Sequence, residues 1–220
     1  MTNAPPEIKI VNTRLEYAEQ MEEMQRLIFP TLTENELIHA EKYRHHVRLF
    51  PEGQFAAVIE KDGAEIVVGA TSTFRIKQGP GELGQHTFEE IVSENWFRNH
   101  DPNGEWLYGA DMSVHPDYRQ MGIASKLYLA RRELIKRLNL RGEMAGGMLP
   151  GYDHYRQQYT IDEYVQAVAR ADITDPTLTP QLRNGFEVLG VLYGYITDPR
   201  SDNHASLIVR VNRDYQPSGE

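Results

Sequence analysis

The pattern of apolar residues along this chain predicts an α/β fold: a mixed, mostly antiparallel sheet flanked by helices, in one domain. Three observations carry that expectation. A short β-prone run is followed by two helical periods, two apolar runs flank an Asp-Gly turn, and the pattern then changes to strand, helix, strand.

The elements follow in order. Ile8-Lys9-Ile10-Val11, after Pro5-Pro6, reads as a first strand. Across 14–29, Leu15, Ala18, Met21, Met24, Leu27 and Ile28 recur at three- and four-residue spacing, an amphipathic helix ended by Pro30. Thr33 with Glu36 three residues later resembles a capping box, which starts a second helix near Thr33 that runs to about Phe50. Phe55–Glu60 and Glu65–Ile76 around Lys61-Asp62-Gly63 signal a β-hairpin. Residues 77–104 are turn-rich around a short helical piece, Phe88 to Phe97, and read as an insertion. Glu105–Val114 alternates as a strand, with Trp106, Tyr108, Ala110, Met112 and Val114 on one face. A helix then shows Ile123, Leu127, Ala130, Leu134 and Leu138 on one side, and Lys126, Arg131, Arg132, Lys136 and Arg137 on its basic outer side. Glu143–Met148 is a fifth strand. Residues 151–183 form a long connection, partly helical through Tyr164, Val165, Val168 and Ala169, and Phe186–Tyr195 pairs with His204–Val211 in a final hairpin.

Composition narrows the function. The 220 residues suit a single domain, 1–220, with 77–104 and 151–183 as its insertions. The 23 Lys and Arg against 32 Asp and Glu give a net charge of −9, which argues against nucleic acid and suits a cationic or amine-bearing partner. With no cysteine, disulfides, thiolate nucleophiles and Cys-based metal sites are excluded. No apolar run approaches a membrane span, and residues 1–7 lack the features of a signal peptide, so a cytoplasmic location without membrane association is expected. His39, His45 and His46 lie on a helix without the HExxH spacing, and no metal is expected.

The most informative segment is Val114-His115-Pro116-Asp117-Tyr118-Arg119-Gln120-Met121-Gly122-Ile123-Ala124-Ser125-Lys126-Leu127. A strand that turns through small residues into a helix N-terminus presents backbone N–H groups and the positive end of the helix dipole, a cradle for phosphate. It has neither the Gly-Lys-Ser/Thr ending of a Walker loop nor the three spaced glycines of a dinucleotide fingerprint. The plainer alternative is a tight turn at Gly122. A glutamate there is expected to leave the fold intact if Gly122 has φ < 0.

This run resembles the acetyl-CoA-binding motif of the GNAT superfamily of N-acetyltransferases, in which Arg/Gln-x-x-Gly-x-Gly/Ala opens a helix. Asn184-Gly185-Phe186 before a strand matches that family's Gly-Phe step, and the resemblance covers roughly residues 7 to 212. It implies a GNAT-like sheet of seven strands flanked by about four helices. Leu149-Pro150-Gly151-Tyr152, Asp175-Pro176-Thr177-Leu178, Gln181–Phe186 and Ala205–Val209 look like a subgroup often fused ahead of a carbon–nitrogen hydrolase. That implies a stand-alone member, or one whose hydrolase is a separate chain.

The resemblance further implies an acetyl-CoA-dependent N-acyltransferase, with direct attack by the amine in a ternary complex. The acceptor would be a small-molecule or peptide amine. Carried over, the backbone of Met112, Ser113 and Val114 pairs with the pantetheine amides. The N–H groups of Gln120, Gly122, Ile123, Ala124 and Ser125 hold the pyrophosphate, and Arg119 either assists them or forms a surface ion pair. The family's acid, a tyrosine four residues before the Gly-Phe step, is replaced by Gln181. Tyr152 and Tyr155 are the substitutes, each also readable as a packed aromatic. Asp111 and Glu143 are candidate bases, each also readable as an ion-paired carboxylate, with Glu105 further off. The 151–183 segment either shapes the acceptor pocket or makes a homodimer contact. The alternative to the enzyme is a non-catalytic acyl-CoA-binding sensor or partner module of a hydrolase.

Overall fold

The computed structural model describes residues 6–217. Seven strands form a mixed sheet in the order β1-β2-β3-β4-β5-β7-β6. They are β1 (Lys9–Asn12), β2 (Phe55–Lys61), β3 (Ala64–Ile76), β4 (Trp106–Val114), β5 (Gly142–Met148), β6 (Glu187–Leu192) and β7 (Ala205–Val211). Among the described residues there are six α-helices rather than about four: α1 (Ala18–Ile28), α2 (Ala40–Leu49), α3 (Phe88–Val92), α4 (Ile123–Arg137), α5 (Ile161–Ala169) and α6 (Leu178–Arg183). The 151–183 connection holds two of them, and six-residue α6 is too short to declare itself by periodicity.

The β2–β3 hairpin forms as the Asp-Gly turn dictates. Asp62 and Gly63 both take positive φ, 53° and 77°, so a two-residue loop joins the pair Lys61↔Ala64. β4 and β5 run parallel, pairing from Trp106↔Gly142 to Gly109↔Ala145, and both strands continue past that last pair. β6 pairs with β7 antiparallel, and its register shifts between Val188 and Gly190.

By their contacts the residues fall into two compact units. The first comprises the described residues through Pro30, Leu37–Thr73 and Asp111–Leu134. Its core gathers Tyr17, Met21 and Met24 from the α1 region, Ile38 and Tyr43, and Ala56, Val58, Val67 and Ala70 from the sheet. Burying each of the larger side chains contributes roughly 1.5–3 kcal/mol.

Two expectations are corrected in this unit. α2 begins at Ala40, not near Thr33. Thr33 and Glu36 do bond as a capping pair, yet they close only a turn, because His39 is extended at ψ 160°. The N-terminus of α2 is satisfied from α1, where the Glu22 carboxylate accepts from the Ala40 N–H at 2.8 Å. Arg131 does not belong to the outer face of α4. It is 1% exposed, with its guanidinium over the Tyr128 ring at 5.4 Å and Nη1 3.5 Å from the Thr71 hydroxyl. Its long aliphatic stem is buried along with its head.

The second unit comprises Thr31–Glu36, Phe74–Ala110 and the described residues from Ile135 onward. Here the helix expected over 88–97 stops at Val92. Ser93, Glu94, Asn95 and Phe97 all take positive φ, between 49° and 62°, and the Phe97 ring stacks on Phe74 at 4.6 Å. Burial of Phe97 and Asn95, 1% exposed each, holds that left-handed stretch against its local cost. Asp175 is a hub of the unit. It accepts from the N–H groups of Gly151, Thr177 and Leu178 and from the Tyr164 hydroxyl, at 2.7–3.0 Å. A Cβ on Gly151 would lie 2.5 Å from that hydroxyl, so the Pro150-Gly151 and Asp175-Pro176 segments form one packed node.

Candidate active site

The turn before α4 is built as an anion cradle. His115 ends β4 with its N–H on the Val68 carbonyl, and a short 3₁₀ turn over Pro116–Tyr118 delivers the chain to Arg119. Gln120 and Gly122 take φ of 64° and 74° on either side of Met121. Backbone that alternates in hand turns successive N–H groups toward one side, a nest suited to anions. The first bond back along α4 runs from Lys126 N–H to the Gly122 carbonyl, so the first helical turn follows directly. Nothing lies within 4 Å of a Cβ built on Gly122, which leaves the concavity open, and a side chain there meets backbone strain rather than collision. The condition φ < 0 is not met, so glutamate at 122 would strain the turn. Arg119 is exposed and makes no ion pair among the described residues.

At the end of β4, Ser113 is fully buried, and Met112 and Val114 are half-buried. Asp111 is 8% exposed, and its carboxylate collects neutral donors. Gln25 Nε2 on α1 donates at 2.8 Å, the Ser113 hydroxyl at 2.8 and 3.0 Å, and the Met112 N–H turns toward it as well. These donors favour the charged form, yet burial outweighs them and pushes the Asp111 carboxyl up to about 6.

On β5 the second carboxylate is held differently. Glu143 is 0% exposed and ion-paired to Arg210 of β7, whose other nitrogen donates to the Asn184 carbonyl at 2.9 Å. The Tyr152 hydroxyl donates to the Tyr159 carbonyl at 3.1 Å, and burial pushes that phenol up. Tyr155 is half-buried against Tyr159 and Tyr164, and its hydroxyl has no hydrogen-bond partner among the described residues. Gln181 is buried on α6, with its amide over Gly147, where a Cβ would lie 2.6 Å from Oε1.

Three residues that the sequence did not single out as candidates form a polar chain in the second unit. His86 Nε2 is 2.9 Å from the Tyr108 hydroxyl, and that hydroxyl is 3.0 Å from the hydroxyl of Tyr195. No motif announces them, since Tyr195 lies 87 residues from Tyr108 and His86 sits in the turn-rich 77–104 segment without a recognisable pattern around it.

Known proteins share both the sequence pattern and the fold. The family model for the acetyltransferase (GNAT) family matches residues 18–145. A probable hydrolase, YhcX of Bacillus subtilis (strain 168), is 38% identical over 173 residues, 78% of this chain. The chain spans about a third of that relative's length (33%). An uncharacterized N-acetyltransferase, YkwB of the same organism, is 29% identical over 86% of this chain and 82% of its own length. Among solved structures, the GphF GNAT-like decarboxylase in complex with isobutyryl-CoA has a TM-score of 0.72 at 20% identity, covering 92% of this chain and 98% of that one. At that identity the likeness is one of fold.

Proposed function

The chain belongs to the acetyltransferase (GNAT) family, and on that premise we propose that it is an acyltransferase that moves an acetyl group from acetyl-CoA to a small-molecule or peptide amine by direct attack in a ternary complex. The single observation that carries this is the cradle at 119–125, open, exposed and turned by positive φ at Gln120 and Gly122. The residues fit the group. The nest and the first turn of α4 would hold the pyrophosphate, Arg119 has a charge to spare for it, and the backbone of Ser113 and Val114 would align the pantetheine arm. Acetyl-CoA supplies an activated acyl carbonyl. The chain supplies proximity and hydrogen-bond donors.

Asp111 serves as a positioning group on this reading. It fixes Ser113 and the Met112 N–H at the strand end from beneath, so the pantetheine would meet Met112 through its carbonyl. Glu143 is committed to Arg210. Tyr155, with an unengaged hydroxyl, is the candidate acid for the leaving thiolate. We read residues 1–220 as one acyltransferase domain with 77–104 and 151–183 inserted in it, working in the cytoplasm without a metal.

Calorimetric titration with CoA, dephospho-CoA and pantetheine, with EDTA present, tests the reading. The two pyrophosphate-bearing ligands should bind far more tightly than pantetheine. Equal affinity for all three would remove the cradle. Similarity to a third of a probable hydrolase favours one second reading, an acyl-CoA-binding module that partners a carbon–nitrogen hydrolase. Thiol release from acetyl-CoA in the presence of amines separates the two, since the module binds CoA and releases none.

A further inference from the structure

We propose that the Gln181 carboxamide is a ligand-reading group, whose oxygen takes a hydrogen bond from an N–H of the bound substrate. The proposal rests on the acyl-transfer reading for the identity of that substrate. It concerns the second unit alone, where α6, β5 and β7 all lie.

Gln181 lacks a partner that its burial calls for. The residue is 7% exposed, and its Oε1 is sealed from solvent with no hydrogen-bond partner among the described residues. A buried carbonyl oxygen without a donor costs stability, and folded proteins seldom leave one in that state. The neighbouring hydroxyl does not fill the need, because Ser206 spends its hydrogen on the Gly147 carbonyl at 3.2 Å.

The fold holds the carboxamide in this position. At the start of α6, Asp175 accepts from the Thr177 and Leu178 N–H groups at 2.7 and 2.8 Å. At its end, the Gln181 carbonyl accepts from the Asn184 and Phe186 N–H groups at 3.0 and 3.2 Å. On β5, Gly147 pairs with Ser206 of β7 and lies beyond the last pair with β4, Gly109↔Ala145. A Cβ there would lie 2.6 Å from Gln181 Oε1, 3.0 Å from its Nε2 and 2.9 Å from the Ser206 hydroxyl oxygen. Glycine at 147 therefore lets the amide lie against the strand. The freedom that remains is the carboxamide's last bond, whose rotation is soft and moves Oε1 without moving the backbone.

The chemistry of the group sets what it can do. A carboxamide neither takes nor gives up a proton near neutral pH, so Gln181 reads a ligand and moves no proton. Its unmet need is for a donor. An amine that attacks a carbonyl carries N–H hydrogens beside its lone pair, and an acceptor that holds one of them fixes the direction of attack. The amide links of the pantetheine arm present the same N–H chemistry. On this account the unbound protein is less stable for holding the amide, and the ligand restores the missing bond.

Stability and function should therefore move in opposite directions. Gln181→Leu and Gln181→Met put apolar side chains of similar size in place of the amide, and both should melt at or above the wild-type temperature. Thiol release from acetyl-CoA with ethylamine, spermidine and a lysyl tripeptide, and calorimetric titration with CoA, then show whose N–H is lost. If it is the amine's, the KM for the amines rises roughly tenfold, while the KM for acetyl-CoA and the shape of the pH profile hold. If it is the pantetheine's, CoA binds roughly tenfold more weakly and the KM for the amines holds. A clear drop in melting temperature in both variants shows the amide to be bonded within the fold and overturns the proposal. Unchanged constants for CoA and all three amines overturn it as well, and leave a water as the amide's partner. A wild type that binds CoA but releases no thiol with any amine removes the acyl-transfer reading, and the melting and CoA arms alone then decide Gln181.

Discussion

Asp111 and Glu143 lie on neighbouring strands, and each is all but sealed from water, yet the protein treats the two carboxylates in opposite ways. Asp111 is surrounded by neutral donors on α1 and its own strand, and its proton affinity rises into the neutral range. Glu143 is matched by a guanidinium, itself only 8% exposed and stacked 4.9 Å from the Phe186 ring. Dipoles offset part of the desolvation cost and leave a group whose charge still responds to pH. A full counter-charge makes each partner depend on the other. The difference separates a tunable carboxylate from a structural one.

The sharpest way to break the comparison is to remove the counter-charge. Arg210→Met should destabilise the protein by about 3–5 kcal/mol, because Glu143 stays buried and loses its counter-charge. The double variant Glu143→Leu with Arg210→Met should recover most of that loss in urea denaturation. A single variant as stable as wild type would show that Glu143 is not held by the pair.

Asp111→Asn tests the other carboxylate, with the opposite sign. The folded-state carboxyl titrates at about 6 against an ordinary 3.8, so the folded state holds a proton that the unfolded state has lost. Wild-type stability therefore falls as pH rises from about 4 through 6. The variant has no such titration. Relative to wild type it should gain at most about 3 kcal/mol over that window and no more above it, since each tenfold difference in proton affinity between the two states is worth about 1.4 kcal/mol. Urea midpoints at pH 4, 5, 6 and 7.5 decide this, and a difference independent of pH would count against the buried, neutral-donor account.

A third carboxylate, placed in water, sharpens the contrast. Gly122 is exposed with φ of 74°, a conformation that aspartate tolerates better than glutamate. Gly122→Asp should leave the melting temperature within a few degrees, since the charge stays solvated and sits near a helix N-terminus. It should nonetheless weaken CoA roughly 100-fold by repelling the pyrophosphate, and leave pantetheine nearly unaffected. Unchanged CoA affinity in the folded variant would move the anion elsewhere. The smallest effect is expected from Tyr152→Phe, which removes one bond to the Tyr159 carbonyl and should cost about 1 kcal/mol. The pH profile of thiol release should not move. A lost acid limb would return Tyr152 to the chemistry.

What can be read in the sequence is local. The Asp62-Gly63 hairpin and the Val114–Leu127 turn depend on residue types at fixed short spacing, and both stand where they are expected. The start of α2 escapes such a reading because Thr33 and Glu36 satisfy the same hydrogen bonds in a lone turn that they would at a helix, while the true cap, Glu22, comes from another helix. Arg131 escapes it because periodicity assigns a basic residue outward and cannot know that Tyr128 and Thr71 receive it. Gln25, which meets Asp111, and Arg210, which meets Glu143, lie 86 and 67 residues away in the chain, and short-range pattern does not reach that far.

The two margins of the sheet have a consequence for how the molecule behaves in a crowded solution. A strand with one free side invites another chain to zip onto it, and long flat strands invite it most. One outermost strand, β1, is only four residues long. The other, β6, carries its register shift around Leu189, a 45% exposed leucine that would otherwise lie on a straight, sticky ribbon. The extra residue twists that border and breaks the even ladder of N–H and C=O groups a second copy would need. Brevity on one side and a kink on the other work against edge-to-edge pairing of copies.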